Sequence, residues 1–191
     1  MESRLFQALK AFKGADGCEA NLFKEFKKIA EEAFFSGYFL VNGGCKDAYK
    51  LKLACIEFYY HEDDGNTKDE KKYLKGKDEF GYALGAVCPN PSGVDVLFDD
   101  PQKKYHASFL IRGYKAIEPG KKEWENNEKR KDWAPHDFWY DLFGGANMLS
   151  NGKFSIEWID ESDETRGYAE HMQRIKINDN RLWGFKRVEK L

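Results

Sequence analysis

Residues 49–60 read YKLKLACIEFYY. Lys50 and Lys52 alternate with Leu51, Leu53 and Cys55, the period-two pattern of a strand with one face turned to a core. Continuing that alternation puts Glu57 and Tyr59 on the same side as the leucines. A charged carboxylate among apolar side chains is costly unless it is paired or hydrogen-bonded. Glu57 therefore has either a structural partner or a chemical task.

Two further strands carry inward charge. In 107–114, ASFLIRGY, Phe109 and Ile111 share one face while Ser108, Leu110 and Arg112 share the other, which places a guanidinium among apolar neighbours and in reach of Glu57. In 93–98, GVDVLF, Asp95 alternates with Gly93 and Leu97. Three charged side chains set into apolar strands exceed what a sheet core ordinarily holds. A buried ion pair and a catalytic pair are both readings of Glu57 with Arg112.

Around these strands the punctuation is regular. From Asn21 to Phe35, Phe23, Phe26, Ile29, Ala30, Ala33 and Phe34 recur at helical spacing. Glycines at 37, 43 and 44 bracket YFLV, a strand leading into 49–60. HEDDGNTKDEKK reads as an exposed loop; its acidic start lacks the spacing of a calcium loop. GVDVLFDD and YHASFLIRGYKAI (105–117) form neighbouring antiparallel strands, the first ended by a DDP turn and the second by Pro119 and Gly120. Residues 121–135 form a long loop or a polar helix, and DFWYDLFGGANML begins a short helix at Asp137. KFSIEWID, RIKIND and WGFKRV supply the later strands. The expected fold class is α+β: one domain over 1–191, with a mixed or antiparallel curved sheet flanked by helices.

Composition supports a folded, water-facing domain. The 191 residues are enough for one core and too few for two comfortable ones. Hydrophobic residues make up 41% and charged residues 34%, beyond what a disordered chain carries on the first count and strongly solvated on the second. No apolar run is long enough for a signal peptide or a membrane span, so a cytoplasmic, membrane-free location is expected. Cysteines at 18, 45, 55 and 88 lack paired spacing, which points to free thiols and to neither a disulfide framework nor a zinc site. The net charge of −2 argues against nucleic-acid binding by bulk charge alone. Basic runs at 68–77, 103–104, 120–131 and 185–191 leave room for a local basic face.

With these residues placed, a resemblance emerges. ACIEFYYHEDDGNTKDEKKY is similar to the catalytic stretch of the alkyladenine (3-methyladenine) DNA glycosylase family, in which a strand carries Glu-x-Tyr and a later element Asp-x-x-x-His. Glu57-Phe58-Tyr59 fits the first, and Asp69 to Tyr73 fits the second with Tyr in place of His. ASFLIRGYKAIEPG resembles that family's strand ending in apolar-apolar-Arg followed by Glu-Pro, which puts Arg112, Glu118 and Pro119 in register. SGVDVLF takes the place of a strand bearing an active-site Asn, with Asp95 instead. QRIKINDNRLWGF resembles the closing Arg-Ile-x-Ile and Trp-x-Phe elements. Order and spacing agree over roughly 21–186.

The resemblance implies an enzyme of base excision repair that flips an alkylated purine from the duplex, holds it between aromatic rings and hydrolyses its N-glycosidic bond. Glu57 would act as base on a water, because the bond breaks through an oxocarbenium-like state that needs a carboxylate. Tyr59 and Tyr73 would wall the base by stacking and cation–π attraction. Arg112 would orient Glu57 and the water, a nearby cation favouring the charged carboxylate. Asp95 would line the substrate site, where its charge suits a cationic ligand or simply holds Arg112. Tyr82 or Tyr105 could fill the gap left by the flipped base. No cofactor or metal is implied, the partner would be damaged duplex DNA, and the chain would act as a monomer without an obligate protein partner. The alternative on the same fold is a nucleic-acid or modified-nucleoside binding module without hydrolysis.

Overall fold

A computed structural model of the chain describes residues 2–14, 18–43, 46–62, 84–90, 93–98, 105–117, 155–161, 167–175, 177 and 180–190. Their order is α1 (Arg4–Ala11), α2 (Glu19–Phe35), β1 (Gly37–Gly43), β2 (Lys46–Glu62), β3 (Val87–Asn90), β4 (Gly93–Leu97), β5 (Tyr105–Ile117), β6 (Ser155–Asp160), β7 (Gly167–Met172) and β8 (Gly184–Glu189). The architecture is α+β: the eight strands form one curved, unclosed sheet in which every described pairing is antiparallel.

The sheet runs β3-β4-β5-β2-β1-β6, with β8 joining β2 and β7 joining β8. Its long centre is β2. One edge of β2 pairs with β5 from Lys50 to Glu62. Along the other edge β1 takes the first half, from Lys46 to Leu51, and β8 takes Cys55 to Glu57. The sheet thus forks beside β2, and the fork brings the β7–β8 connection back over its middle.

The helices cover one face. Leu22, Phe26, Ile29 and Ala33, three and four residues apart, form the apolar stripe of α2, and Leu5, Leu9 and Phe12 do the same for α1 and the residue after it. They share one core with Leu53, Ile56, Phe58, Tyr60, Phe109 and Ile111 of the sheet. Phe26 stacks on Phe58 with ring centroids 4.4 Å apart and meets Trp183 edge-on at 5.3 Å, pairings that add about 0.5–1.5 kcal/mol each beyond the area they bury. Two side chains close the helix ends from outside. The Asp160 carboxylate accepts from the Arg4 backbone N–H at 3.1 Å, and the Arg187 guanidinium donates to the Phe34 carbonyl at the end of α2.

The alternation in 49–60 does not run unbroken. Leu53 pairs with Tyr114, Cys55 with Gly113 and Ile56 with Ile111, so Ala54 is an extra residue on β2 and Arg112 an extra residue on β5. One extra residue shifts a strand's side chains to the other face. Leu51 and Leu53 before the irregularity, and Ile56, Phe58 and Tyr60 after it, all join the helix-side core. Glu57 and Tyr59 therefore face away from the leucines, opposite to the expectation from simple alternation. Gly113 permits the double irregularity, since a Cβ there would stand 2.7 Å from the Cβ and 2.9 Å from the backbone nitrogen of Cys55.

Other differences are local. Helix α1 and strands β3 and β7 were not expected from the sequence. RIKIND is not a strand where it is described: Arg174, Ile175 and Ile177 lie in the turn between β7 and β8. The loop after Glu62, the segments at 121–135 and 137–149, and Tyr73, Tyr82, Glu118 and Pro119 lie outside the described residues. Cys18, Cys55 and Cys88 are free thiols. Among the described residues no helix is long and apolar enough to cross a membrane, and no group of three or more His, Cys, Asp or Glu side chains is arranged to hold a metal ion.

Candidate functional site

The face away from the helices carries the polar residues. Across β3, β4, β5, β2 and β8, Cys88, Asp95, Leu110, Glu57 and Gly184 are register partners in one row. The next row holds Leu97, Ser108 and Tyr59, and the one beyond it on β5 and β2 holds His106 beside His61, with ring centroids 6.4 Å apart. Directly opposite residues share a face, so one side of the sheet presents two carboxylates, a serine, a tyrosine and a histidine pair around Leu110.

Glu57 has no exposed surface and accepts three hydrogen bonds. Arg112 Nε donates to Oε2 at 2.9 Å, Tyr59 Oη donates to the same oxygen at 3.1 Å, and the Ile175 backbone N–H donates to Oε1 at 2.5 Å. The extra residue on β5 makes the first of these possible, because Arg112 arises from that irregularity directly across from the end of the Cys55 shift. Burial, the largest single influence, pulls the Arg112 guanidinium down, but the charge and hydrogen bond of Glu57 together with Tyr59 more than offset it and the net direction is upward. The Tyr59 phenol is pushed well above its ordinary value, first by burial and then by the charge on Glu57. It is a neutral donor across the range in which proteins work.

The β7–β8 turn lies against this cluster. Arg174 is nearly buried, donates from Nη1 to the Phe58 carbonyl at 3.1 Å, and lies between two rings, 5.0 Å from the centroid of Tyr59 and 5.2 Å from that of Trp183. Ile177 packs on Tyr59 and Leu110 in a small apolar cluster of its own. Asp95 is also buried, and Ser108 Oγ donates to its Oδ1 at 2.9 Å.

Of the residues singled out from the sequence, Glu57, Arg112 and Tyr59 are in mutual contact, and Asp95 stands in the same row as Glu57 with Leu110 between them. Tyr73 lies outside the described residues. Tyr105 is no candidate for filling a base gap: it belongs to the helix-side core and donates to the Phe12 carbonyl at 3.3 Å. The basic run at 185–191 is largely neutralised where it is described, with Lys186 paired to Glu170 at 2.6 Å and Arg187 to Glu189 at 2.9 Å. Arg174 and the Ile175 amide were missed. The signal available for them was the NDN triplet at 178–180, which marks a turn rather than a strand end.

Fold and site together define an α+β protein with a carboxylate, a guanidinium and a phenol locked together on the sheet face turned from its helices. Compared with protein-family models, with curated proteins and with solved structures, the chain matches none.

Proposed function

We propose that the chain is a DNA glycosylase-type hydrolase that cleaves the N-glycosidic bond of an alkylated purine, with Glu57 as the base toward water and Arg112 as the cation that orients it. The observation that carries this reading is Glu57 Oε2, held by both Arg112 Nε and Tyr59 Oη, which fixes one carboxylate oxygen and aims the other. Oε1 has a single described donor, the Ile175 amide. Since Glu57 has no exposed surface, water reaches Oε1 in this reading when the Ile175 amide gives up that bond. Tyr59, relieved of Arg174 by the same movement, then offers its ring to the base. In this reading the partner is damaged duplex DNA, the chain works as a cytoplasmic monomer without a cofactor, and Tyr73 is the second wall.

A second reading, binding of a modified nucleoside or nucleic acid without hydrolysis, is favoured by one observation: a carboxylate with three donors and no exposed surface is already satisfied. One experiment separates the two. Wild type and Glu57→Gln are incubated with duplex oligonucleotides carrying 7-methylguanine or hypoxanthine, and free base is measured by chromatography beside circular dichroism of each protein. The hydrolase reading expects base release by wild type and a loss of roughly 100-fold or more in the folded variant. Salt-dependent binding with no base released by wild type overturns it in favour of the binder.

A further inference from the structure

We propose that His61 and His106 form a cross-strand chelate for a divalent transition-metal ion of the nickel, copper and zinc group. The two are register partners on β2 and β5, on the face turned from the helices, with ring centroids 6.4 Å apart. Directly opposite residues of an antiparallel pair have Cβ atoms about 4.5–5.5 Å apart, so both imidazoles rise side by side from a backbone already fixed by the ladder. Little ordering is left for an ion to impose, and preorganisation of that kind favours binding.

The spacing is within reach of one ion. Metal–nitrogen bonds of about 2.0–2.1 Å put the centre of a ligating ring about 3.2 Å from the metal. Two such rings then have centres about 5.2 Å apart at a tetrahedral angle and about 6.4 Å apart at a linear one. The observed separation stands at the wide end of that range. Closing it by about 1.2 Å, shared between the side chains, takes about 15° of χ1 in each and stays inside one rotamer well.

The donor set selects the cation. Imidazole suits nickel, copper and zinc, whereas magnesium and calcium prefer oxygen ligands. Both rings have other interactions as well. A ring that ligates through one nitrogen keeps the other for a hydrogen bond, the ordinary arrangement at metal sites. No third His, Cys, Asp or Glu joins the pair among the described residues, so the protein supplies two ligands here and water fills the remaining positions. His106 is half-buried and meets solvent, while His61 is buried. Four residues of β2 separate His61 from Glu57, about 13 Å of strand, so the ion lies apart from the carboxylate cluster and the proposal is independent of the hydrolase reading.

The test is calorimetric titration of the full chain with nickel chloride and zinc chloride, with circular dichroism of each variant as the check on folding. Wild type is expected to bind one ion of either metal per chain, nickel more tightly than zinc, and to show no saturable heat with magnesium or calcium. His61→Gln and His106→Gln should each weaken nickel binding about 100-fold, because loss of one arm of a chelate forfeits its effective concentration. His171→Ala, whose ring lies against Phe23 on the helix side, should leave binding unchanged. Nickel should also raise the Tm of wild type and not that of either Gln variant. Absence of saturable nickel or zinc binding by wild type overturns the proposal, and so does binding that neither Gln variant weakens. His106→Gln, at the half-buried position, keeps the outcome decisive where His61→Gln folds poorly.

Discussion

Replacing Arg112 by methionine tests the site where its energetics are sharpest. Glu57 has no exposed surface and Arg112 is only 13% exposed, so their 2.9 Å contact is largely screened from water. Breaking a buried pair by removing one partner costs about 3–5 kcal/mol, because the remaining charge is left uncompensated. Tyr59 and the Ile175 amide go on donating to Glu57, and the small opening at Arg112 admits some solvent, which sets the expected cost at the lower end, about 3 kcal/mol. That is a large share of the roughly 5–15 kcal/mol that holds a domain folded. Glu57→Met should cost a similar amount, since it strands Arg112 and removes the acceptor of three donors. The double variant Glu57→Met with Arg112→Met removes both charges from the same low-dielectric spot. It should fall short of the sum of the singles by about 2 kcal/mol or more. Urea unfolding followed by tryptophan fluorescence reads this directly: with a slope near 2 kcal/mol per molar, the Arg112→Met midpoint drops by about 1.5 M. Additivity of the two substitutions within about 0.5 kcal/mol would refute the coupling on which the whole site is argued.

Three further outcomes are expected. Gly113→Ala forces a Cβ to within 2.7 Å of Cys55 Cβ at the double irregularity, and should destabilise the fold by about 1–3 kcal/mol, read as a lowered Tm. Phe26→Ala removes the ring stacked on Phe58 and should cost about 3–5 kcal/mol; a loss below 1 kcal/mol would mean that α2 does not seat on the sheet as described. The Cys55 thiol is pushed from 9.0 to about 12, by burial first and then by Glu57. A raised thiol value favours the neutral form in the folded state, so its contribution is present below about pH 9 and is lost as pH rises toward 12. Wild type should lose stability across that window with up to one proton per molecule more than Cys55→Ala does, measured by urea midpoints at successive pH values.

How far the sequence could be read is decided strand by strand. β5 was legible to the residue, 105–117, because its alternation is long and Pro119 with Gly120 punctuates its end. α2 was legible from its apolar stripe, within two residues of Glu19. α1 carries a capping serine, Ser3, whose side chain accepts from the Phe6 N–H, and an apolar repeat at Leu5 and Leu9, but eight residues give too short a period to stand out beside a charged surround. β3 was hidden by Pro89, which is tolerated there as the last strand on that side of the sheet among the described residues, and β7 by the two residues GY that open it with no alternation. RIKIND read as a strand because Ile175 and Ile177 alternate. Instead the turn spends that alternation on the second face: Ile177 packs on Tyr59, while the Ile175 amide goes to Glu57.

The face of Glu57 was the decisive misreading, and its cause lies in how little an irregularity shows in sequence. LACIEF contains an alanine and a cysteine, small enough for either side of a sheet, at the two positions where the alternation shifts. Nothing in residue type distinguishes a strand that continues through them from one that slips by a residue. The partner strand does, because Gly113 stands across from Cys55 where any side chain would collide. A glycine in the middle of an otherwise apolar strand, next to an arginine, is the mark of close backbone approach. Taken together, LACIE on one strand and IRGY on the other point to a paired irregularity. Its consequence is chemical, since the slip at Ala54 turns Glu57 to the face opposite Leu53, while the slip at Arg112 keeps both Ile111 and Tyr114 in the helix-side core with Arg112 in contact with Glu57. The same pair of irregularities that makes the core continuous from Leu53 to Phe58 also leaves the Glu57 carboxylate and the Arg112 guanidinium in contact on the other side, which is why fold and candidate site in this chain stand or fall on the same four residues, Ala54, Cys55, Arg112 and Gly113.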